Sequence, residues 1–152
     1  MPVEVRAVEP DDAAWFAANM RQSDKDELTA ATGPDLERTL LLSIEQSRGM
    51  AAVATVEGEP IAIFGFCPWG LMSSVASPWL VGTTALLKQG RALNRLGRAY
   101  CARATSEFPV LVNYVDVRNT ASVRWLRGLG FKMDAPAPFG VEGRPFMRFS
   151  NV

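Results

Sequence analysis

The spacing of apolar residues along the first third of the chain predicts one strand and two helices. Residues 3–7 alternate apolar and polar side chains, as in a strand with one buried face. The residues Glu-Pro-Asp-Asp at 9–12 suit a helix N-terminus and are followed by a good helix-forming segment at 13–18. Apolar residues recur at helical spacing over 36–44. The second of these helices is predicted to begin near Pro34 and to end near Gly49, since proline suits the first turn of a helix and glycine its end.

A hairpin and the longest helix are predicted next. The runs 50–56 and 61–67 are strand-like, and the turn sequence Glu-Gly-Glu-Pro at 57–60 joins them. A fourth strand is expected within 73–80. Residues 83–106 then carry leucines on one face and basic side chains on the other, which predicts an amphipathic helix.

The remaining elements complete the order β-α-α-β-β-β-α-β-α-β-β. Residues 110–117 form an apolar strand pattern, and Asn119 is a suitable N-cap for a short helix ending at Gly130. Two further strands are expected at 131–133 and 144–149. Neither a repeat nor a linker interrupts the pattern, so residues 1–152 are expected to form a single domain.

Composition restricts the chemistry. The chain has 152 residues with 48% hydrophobic and 21% charged side chains, which is typical of a globular protein. It contains no histidine, which excludes Ser-His-Asp and Cys-His catalysis and a His-ligated zinc site. Cys67 and Cys101 are too few for a disulfide framework, so a reduced, cytoplasmic setting is expected. No apolar run approaches the ~18 residues of a membrane span.

Zero net charge conceals a division between the two halves. Residues 1–76 carry 5 Lys and Arg against 12 Asp and Glu, and residues 77–152 carry 11 against 4. A basic half suits an anionic ligand or an acidic partner, or the halves neutralise each other within one domain. Arg91, Arg95 and Arg98 lie on one face of the long predicted helix, where they either meet an anion or are solvated. No aromatic residues alternate with these arginines, so no nucleic-acid partner is expected.

The element order resembles a known family. Asn119-Thr-Ala-Ser-Val-Arg-Trp-Leu-Arg-Gly-Leu-Gly-Phe131 is similar to the late motif of the GNAT acyltransferases, and the order covers nearly the whole chain. The resemblance implies an α/β fold with a mixed central sheet of six to seven strands, splayed between strands 4 and 5, and about four helices. It also implies acetyl-CoA as cofactor, without a metal, and as acceptor a small-molecule amine, a protein N-terminus or a lysine.

A narrower resemblance suggests another class of function. Residues 77–83, Asn113 and residues 119–131 resemble small GNAT-like proteins of T7-like tailed phages, some of which are regarded as internal virion or morphogenesis proteins. The alternative to an enzyme is therefore a non-catalytic phage-encoded protein of virion assembly or host interaction, in the host cytoplasm or the virion. Many proteins of this fold form homodimers, but nothing in the sequence marks a dimer surface. Contacts with virion proteins would fall on four apolar side chains around the fourth strand: Trp69, Leu71, Met72 and Trp79.

The expected cofactor loop departs from the family pattern. Members carry Arg/Gln-x-x-Gly-x-Gly between the fourth strand and the long helix, whereas residues 78–84 here contain one glycine and no arginine. The resemblance implies that Gly82, Thr83 and Thr84 present amides and hydroxyls to a pyrophosphate. The alternative is an ordinary helix start with Thr83 or Thr84 as its cap.

Two asparagines are the remaining candidates for cofactor binding. Asn113 interrupts an apolar face of a central strand, and a buried amide needs a hydrogen-bond partner. It either binds the pantetheine arm of the cofactor or bridges the splayed strands. Asn119 corresponds to the family's asparagine and is equally suited to cap the following helix.

The usual acid–base pair of the family is not found in its usual positions. Leu126 occupies the place of the tyrosine that protonates the leaving thiolate, and strand 73–80 contains no Asp or Glu. Tyr114 is the nearest replacement, but strand alternation puts it on the face opposite Asn113. The catalytic residues are thus left unassigned, and a slow or inactive enzyme is predicted. Without a histidine to activate it, Cys67 is expected to be a small buried apolar residue.

Overall fold

A computed structural model describes residues 2–152 and shows an α/β protein built on one mixed sheet of eight strands. The strands are β1 (Val3–Ala7), β2 (Ala52–Val56), β3 (Glu59–Pro68), β4 (Val75–Gly82), β5 (Val110–Asp116), β6 (Lys132–Met133), β7 (Ala137–Phe139) and β8 (Arg144–Ser150). The helices are α1 (Asp12–Asn19), α2 (Gln22–Thr32), α3 (Leu36–Gln46), α4 (Gly90–Glu107) and α5 (Thr120–Gly128). The strand order is β1-β2-β3-β4-β5-β8-β6, with β7 paired to β8.

The first four strands pair with their neighbours in antiparallel fashion. Short connections join β2 to β3 and β3 to β4, whereas helices α1, α2 and α3 separate β1 from β2. The β2–β3 turn consists of Glu57 and Gly58, with φ of 51° and 81°. Two successive positive φ values are typical of the type I′ turn, whose twist matches that of the flanking strands. The hairpin predicted around residues 57–60 is therefore confirmed.

The sheet opens between β4 and β5. These two strands run parallel, and they pair only at Val75 with Val110 and at Ala76 with Leu111. Beyond this short ladder, β5 continues with β8 in an antiparallel pair through Asp116. The remainder of β4 and of β5 thus line a wedge in the sheet, and the predicted splayed architecture is confirmed.

Helices cover both faces of the sheet. On one face, Phe16 of α1 and Leu40 of α3 pack on Val53, Ile63 and Val81. On the opposite face, α4 and α5 pack on β3, β4 and β5, with their apolar stripes forming the other two clusters of the core. The leucine stripe predicted for the long helix is confirmed in its packing, since Leu93, Leu96 and Tyr100 contact the core.

One helix was not predicted from the sequence. Helix α2 buries only Asp24 and Ala30 fully, so it lacks the apolar stripe by which a helix is recognised. The fold consequently has five helices where about four were expected. The eighth strand is the short β7, which forms a hairpin with β8 around Gly140 and Gly143, both at positive φ.

The long helix begins later than expected. Residues Thr84–Gln89 form a 3-10 segment, and α4 itself begins at Gly90 rather than at Thr83. Leu86 is buried within that 3-10 segment and anchors it on the core. Within the described residues 2–152, no helix has both the length and the apolar character needed to cross a membrane.

Candidate functional site

A cavity of about 310 Å³ occupies the wedge between β4 and β5. Its lining comes from both faces of the sheet, so the cavity passes through the opening. One half, here called the α4–α5 half, is lined by Phe64, Leu96, Tyr100, Trp125, Leu129 and Phe131. The other half, here called the α2–α3 half, is lined by Leu28, Ala31, Leu40, Trp79, Tyr114 and Phe139.

Asn113 lies at the centre of the wedge and bridges its two walls. Its Nδ2 donates to the carbonyl oxygen of Pro78 at 2.8 Å, while its Oδ1 accepts from the Tyr114 amide at 2.9 Å. Ser77 adds a second bridge, since its Oγ donates to the Val112 carbonyl at 2.7 Å. The structure therefore shows Asn113 in the bridging role, which is one of the two roles considered from the sequence. Its side-chain amide also lies where a ligand in the wedge would meet it.

A buried polar cluster closes one end of the wedge. The carboxylate of Asp24 accepts from the Gly82 amide at 2.8 Å, from Arg21 Nε at 3.0 Å and from Asn119 Nδ2 at 3.1 Å. All of these partners are buried. The cluster ties the start of α2 to the end of β4 and to the start of α5, because its members come from these three places.

Asn119 occupies the N-cap position of α5, but its side chain makes no capping hydrogen bond. The amide nitrogen instead donates to Asp24, and Oδ1 is buried with no partner among residues 2–152. Asn119 thereby ties the start of α5 to α2. It does not line the cavity, so its contribution to the site is indirect.

Glu27 brings a carboxylate to the cavity from α2. Its Oε1 accepts from the Asp116 amide at 2.8 Å and from Asn119 Nδ2 at 3.5 Å. Its Oε2 makes no hydrogen bond within residues 2–152 and is not buried away from solvent. Glu27 is the sole charged side chain among the described residues that line the cavity.

The surroundings of Glu27 favour its neutral form. Burial raises the pKa of Glu27 to about 7, and the neighbouring carboxylates of Asp24 and Asp116 act in the same direction. The hydrogen bonds from the Asp116 amide and from Asn119 oppose this rise but are weaker. A carboxyl group with a pKa near 7 suits a proton acceptor that works at neutral pH.

Asp116 remains charged beside Glu27. Burial acts to raise its pKa, but hydrogen bonds from the Arg118 guanidinium and amide hold the pKa of Asp116 below its usual value. The closest of these bonds joins Arg118 Nη2 and Asp116 Oδ2 at 2.7 Å. Asp116 is thus a fixed negative charge that raises the pKa of Glu27.

The predicted phosphate cradle lies inside the protein. The amide of Gly82 donates to Asp24, and the amide of Thr83 donates to the Ile61 carbonyl at 2.9 Å. Both residues are buried, whereas Thr84 is exposed. An anion at Gly82 would have to displace the carboxylate of Asp24, so these two residues offer no free donors.

A second position for an anion is the start of α4, which follows directly on the 3-10 segment. No side chain caps this helix, and its first turn contains no acidic residue. The exposed side chains of Lys88 and Arg91 flank its first residue, Gly90. A helix N-terminus with two basic side chains attracts an anion through its amides and its dipole. Farther along α4, Arg95 and Arg98 are exposed, and Arg98 donates to the Gly128 carbonyl at 3.1 Å.

The surroundings of four further residues considered from the sequence, Leu126, Cys67, Trp69 and Trp79, are as follows. Leu126 is 8% exposed and packs in the core, as expected. Cys67 is half-buried, and burial raises the pKa of its thiol. Trp69 is exposed, as are Leu71 and Met72 next to it. Trp79 is half-buried, and its Nε1 donates to Ser47 Oγ at 2.9 Å, so it belongs to the cavity wall rather than to an exposed surface.

Sequence reasoning missed Glu27, the most informative residue of the site. The three polar residues Arg21, Asp24 and Glu27 follow each other at intervals of three, which places them along one side of a helix. That spacing was the available signal. Among the described residues, no group of three or more cysteine or acidic side chains is arranged to hold a metal ion.

No protein-family model matches this chain, and no curated protein matches it. Several solved structures, however, are similar to this chain in fold. Ard1 from Thermoplasma volcanium is similar at a TM-score of 0.77 and 14% identity, over 99% of this chain and 97% of that one. Ribosomal-protein-alanine N-acetyltransferase from Brucella melitensis has a TM-score of 0.70 and 18% identity, over 98% and 99%. The protein yncA from Salmonella typhimurium, solved with its cofactor acetyl-CoA, has a TM-score of 0.67 and 18% identity, over 99% and 93%. At these identities the likeness establishes the fold, which is that of the GNAT acetyltransferases.

Proposed function

We propose that this protein is an N-acyltransferase that uses acetyl-CoA and takes its catalytic base, Glu27, from α2. The observation that carries the proposal is the cavity through the open sheet, whose lining holds a single charged side chain, a carboxyl group with a pKa of about 7. The fold alone does not assign an activity, since one fold supports many functions. The cavity and the position of Glu27 in it are what lead from the fold to the proposed acetyl transfer.

The wedge fits the pantetheine arm of the cofactor. Pantetheine is a narrow chain with two amide groups, and it needs hydrogen-bond partners inside an apolar channel. Asn113 offers its amide there once it releases Pro78. Trp125 lines the α4–α5 half, and its indole N–H is buried with no acceptor among residues 2–152. A ligand carbonyl would satisfy that donor, which otherwise costs about 1–3 kcal/mol.

The start of α4 fits the phosphates. No side chain caps its amides, and Lys88 and Arg91 add two positive charges beside them. The basic half of the chain supplies these charges, which gives one use for the charge division seen in the sequence. In this proposal Thr84, exposed at the start of the 3-10 segment, stays within reach of the phosphates, whereas Gly82 and Thr83 support the site from beneath through Asp24 and Ile61.

Glu27 is placed to remove a proton from the acceptor amine. An ammonium group cannot attack a carbonyl carbon until it loses a proton, and an acceptor of that proton typically contributes about 10²–10⁴-fold in rate. Bound acetyl-CoA supplies the activated acetyl group. The α2–α3 half of the cavity admits the amine on the side of the sheet where Glu27 lies. The partial burial of Glu27 beside the apolar lining of the cavity strengthens its attraction for the ammonium.

The experiment for this proposal is a calorimetric titration of the protein with acetyl-CoA. We expect binding at a Kd of ~10 µM or tighter, and at ~100 times Kd the cofactor should stabilise the fold by about 2.7 kcal/mol. The double variant Lys88→Ala with Arg91→Ala should weaken binding at least about tenfold, because it removes two charges beside the phosphates.

The control is Lys132→Ala, which removes one exposed charge from β6 at the far edge of the sheet and should leave the Kd unchanged. If millimolar acetyl-CoA gives neither heat nor a thermal shift with the unaltered protein, the proposed function is wrong. If the double variant binds like the unaltered protein, the phosphate position is wrong but the activity is not.

The second candidate function is that of a non-catalytic phage-encoded protein in virion assembly or host interaction. The observation favouring it is the exposed apolar tip of the β3–β4 connection, where Trp69, Leu71 and Met72 are 63%, 87% and 96% exposed. Such patches often mark protein contacts. Mass spectrometry of purified phage particles tests it, and absence of the protein from the particles, together with failure to retain capsid-associated proteins in a pull-down, would count against it.

A further inference from the structure

The α2–α3 half of the cavity carries an unusual combination of aromatic walls and very little charge. The ring of Tyr114 stacks on Phe139 with centroids 4.1 Å apart and an angle of 13° between the planes. Phe139 in turn contacts Phe146 at 5.1 Å. Tyr114 is 39% exposed, so this stack stands at the mouth of the cavity rather than deep in the core. It offers a flat apolar surface to whatever enters.

The opposite wall is apolar and rigid. Leu28 of α2 and Leu40 of α3 supply aliphatic surface, whereas Ala31 of α2 lies against the hairpin that carries Phe139, since its carbonyl accepts from the Val141 amide at 3.2 Å. Trp79 adds an indole that its hydrogen bond to Ser47 holds in place. A ring entering between this wall and the Tyr114–Phe139 stack would meet apolar surface on both sides, and aromatic pairs gain about 0.5–1.5 kcal/mol beyond the area that they bury.

Two of the hydroxyl groups on this side, those of Thr32 and Thr39, already make hydrogen bonds within the protein. Thr32 Oγ1 donates to the Leu28 carbonyl at 2.8 Å and lies 2.9 Å from Thr39 Oγ1, which also approaches the Asp35 carbonyl at 3.2 Å. A peptide or a sugar would need several free polar partners along its length. Among the described residues of the α2–α3 half, Ser43 and Tyr114 carry the hydroxyl groups that make no hydrogen bond, which is fewer polar partners than a peptide or a sugar would need.

The charge of the cavity lining restricts the class of acceptor more than any other feature. Glu27 is the sole carboxyl among the described lining residues, so the cavity can pair one ammonium group. Each further ammonium of a polyamine or an aminoglycoside would enter apolar surroundings without a counter-charge, which is strongly unfavourable. The same apolar walls that favour an aromatic acceptor therefore disfavour the binding of polycations.

We infer that the acceptor is an arylalkylamine, a small primary amine with a single positive charge and an aromatic ring. The inference rests on the proposed function, because it names the acceptor of that same site. The ammonium group pairs with Glu27, and the ring packs between Trp79 and the Tyr114–Phe139 stack.

The test measures acceptor binding separately from turnover. The protein is saturated with desulfo-CoA, which cannot transfer an acetyl group, and is titrated with 2-phenylethylamine, ethylamine, spermidine, kanamycin and a short peptide with an N-terminal leucine. We expect 2-phenylethylamine to bind at least about a hundredfold more tightly than spermidine or kanamycin, a difference of about 2.8 kcal/mol. Tighter binding of a polycation or of the peptide would overturn the inference.

Two variants show whether the named surfaces are responsible. Phe139→Ala should weaken 2-phenylethylamine binding about tenfold and leave ethylamine binding unchanged, because only the ring loses a contact. Val141→Ala, in the same hairpin but exposed and outside the lining, is the matched control. Thr39→Asp places a second carboxylate beside the cavity, in the first turn of α3 where an acidic residue suits the helix, and should strengthen spermidine binding about tenfold.

These results separate the two proposals. Failure of desulfo-CoA to bind refutes the proposed function. Binding of desulfo-CoA followed by equal affinity for 2-phenylethylamine and spermidine, or by equal losses for phenylethylamine and ethylamine in Phe139→Ala, refutes the acceptor class and leaves the proposed function standing.

Discussion

Replacement of Glu27 by glutamine is expected to lower kcat/KM for acetyl transfer by about 10²–10⁴-fold, the usual contribution of a general base. Glutamine has nearly the same shape, and its Oε1 can still accept the bonds that Glu27 receives from Asp116 and Asn119. The variant therefore removes the basic group and keeps the packing. Initial rates of CoA release with a saturating amine measure the effect.

The pH profile identifies Glu27 as the group responsible. For the unaltered protein, kcat/KM should rise as the pH passes through about 7, where Glu27 loses its proton. The variant should show no inflection there. Asp26→Asn, on the same helix with an exposed carboxylate, is the control and should retain the rate and the profile. An unchanged rate for Glu27→Gln would remove Glu27 from the mechanism.

Folding stability gives an independent readout of the same group. The pKa of Glu27 is about 7 in the folded protein and about 4.5 in an unfolded chain, so the unfolded state releases its proton first as the pH rises. The contribution of Glu27 to stability consequently declines between pH 4.5 and pH 7. Glu27→Gln should abolish that decline, and the stability difference between the two proteins should widen in favour of the variant across this range.

Replacement of Asp24 by alanine is expected to destabilise the fold by about 3–5 kcal/mol, the cost of breaking a buried ion pair on one side. Arg21 is 9% exposed and would be left with a buried guanidinium that lacks its counter-charge. The amide of Gly82 and the side-chain amide of Asn119 would lose their acceptor as well. Urea denaturation at constant pH measures the change.

Asp26→Ala is the matched control for this second variant. Asp26 is two residues farther along α2, is exposed and accepts only from Gln22 through its side chain within residues 2–152, so its loss should cost no more than about 0.5 kcal/mol. A cost for Asp24→Ala as small as that for Asp26→Ala would mean that the polar cluster does not hold α2 against the sheet. The position of Glu27 would then lose its structural support.

The sequence allowed the fold to be predicted where apolar periodicity and turn chemistry agree. The hairpin at Glu57 and Gly58, the start of α3 at Asp35, whose carboxylate accepts from the Arg38 amide at 3.1 Å, and the opening between β4 and β5 were all expected and are all present. Each depends on interactions close in sequence or on a motif that fixes the order of elements.

The active-site carboxylate could not be predicted in the same way. Helix α2 faces the protein interior with Arg21, Asp24 and Glu27, so its buried side is polar and its periodicity is hidden from any search for apolar stripes. Those side chains are stabilised by partners up to 101 residues away in the chain, such as Ser122 for Arg21 and Asn119 for Asp24. The start of α4 was misplaced for a related reason, since buried Leu86 looked like part of the helix although it anchors the preceding 3-10 segment.

The central claim is that the wedge beside Asn113 receives the pantetheine arm of acetyl-CoA, and the side-chain amide signals of Asn113 in a ¹⁵N nuclear magnetic resonance titration report on it directly. With the signals assigned through Asn113→Ser, addition of desulfo-CoA should shift them as the bond to Pro78, 2.8 Å long in the protein alone, is exchanged for one to the ligand. The amide of Asn19, at the end of α1, should not move. Unshifted Asn113 signals at saturating desulfo-CoA would contradict the account.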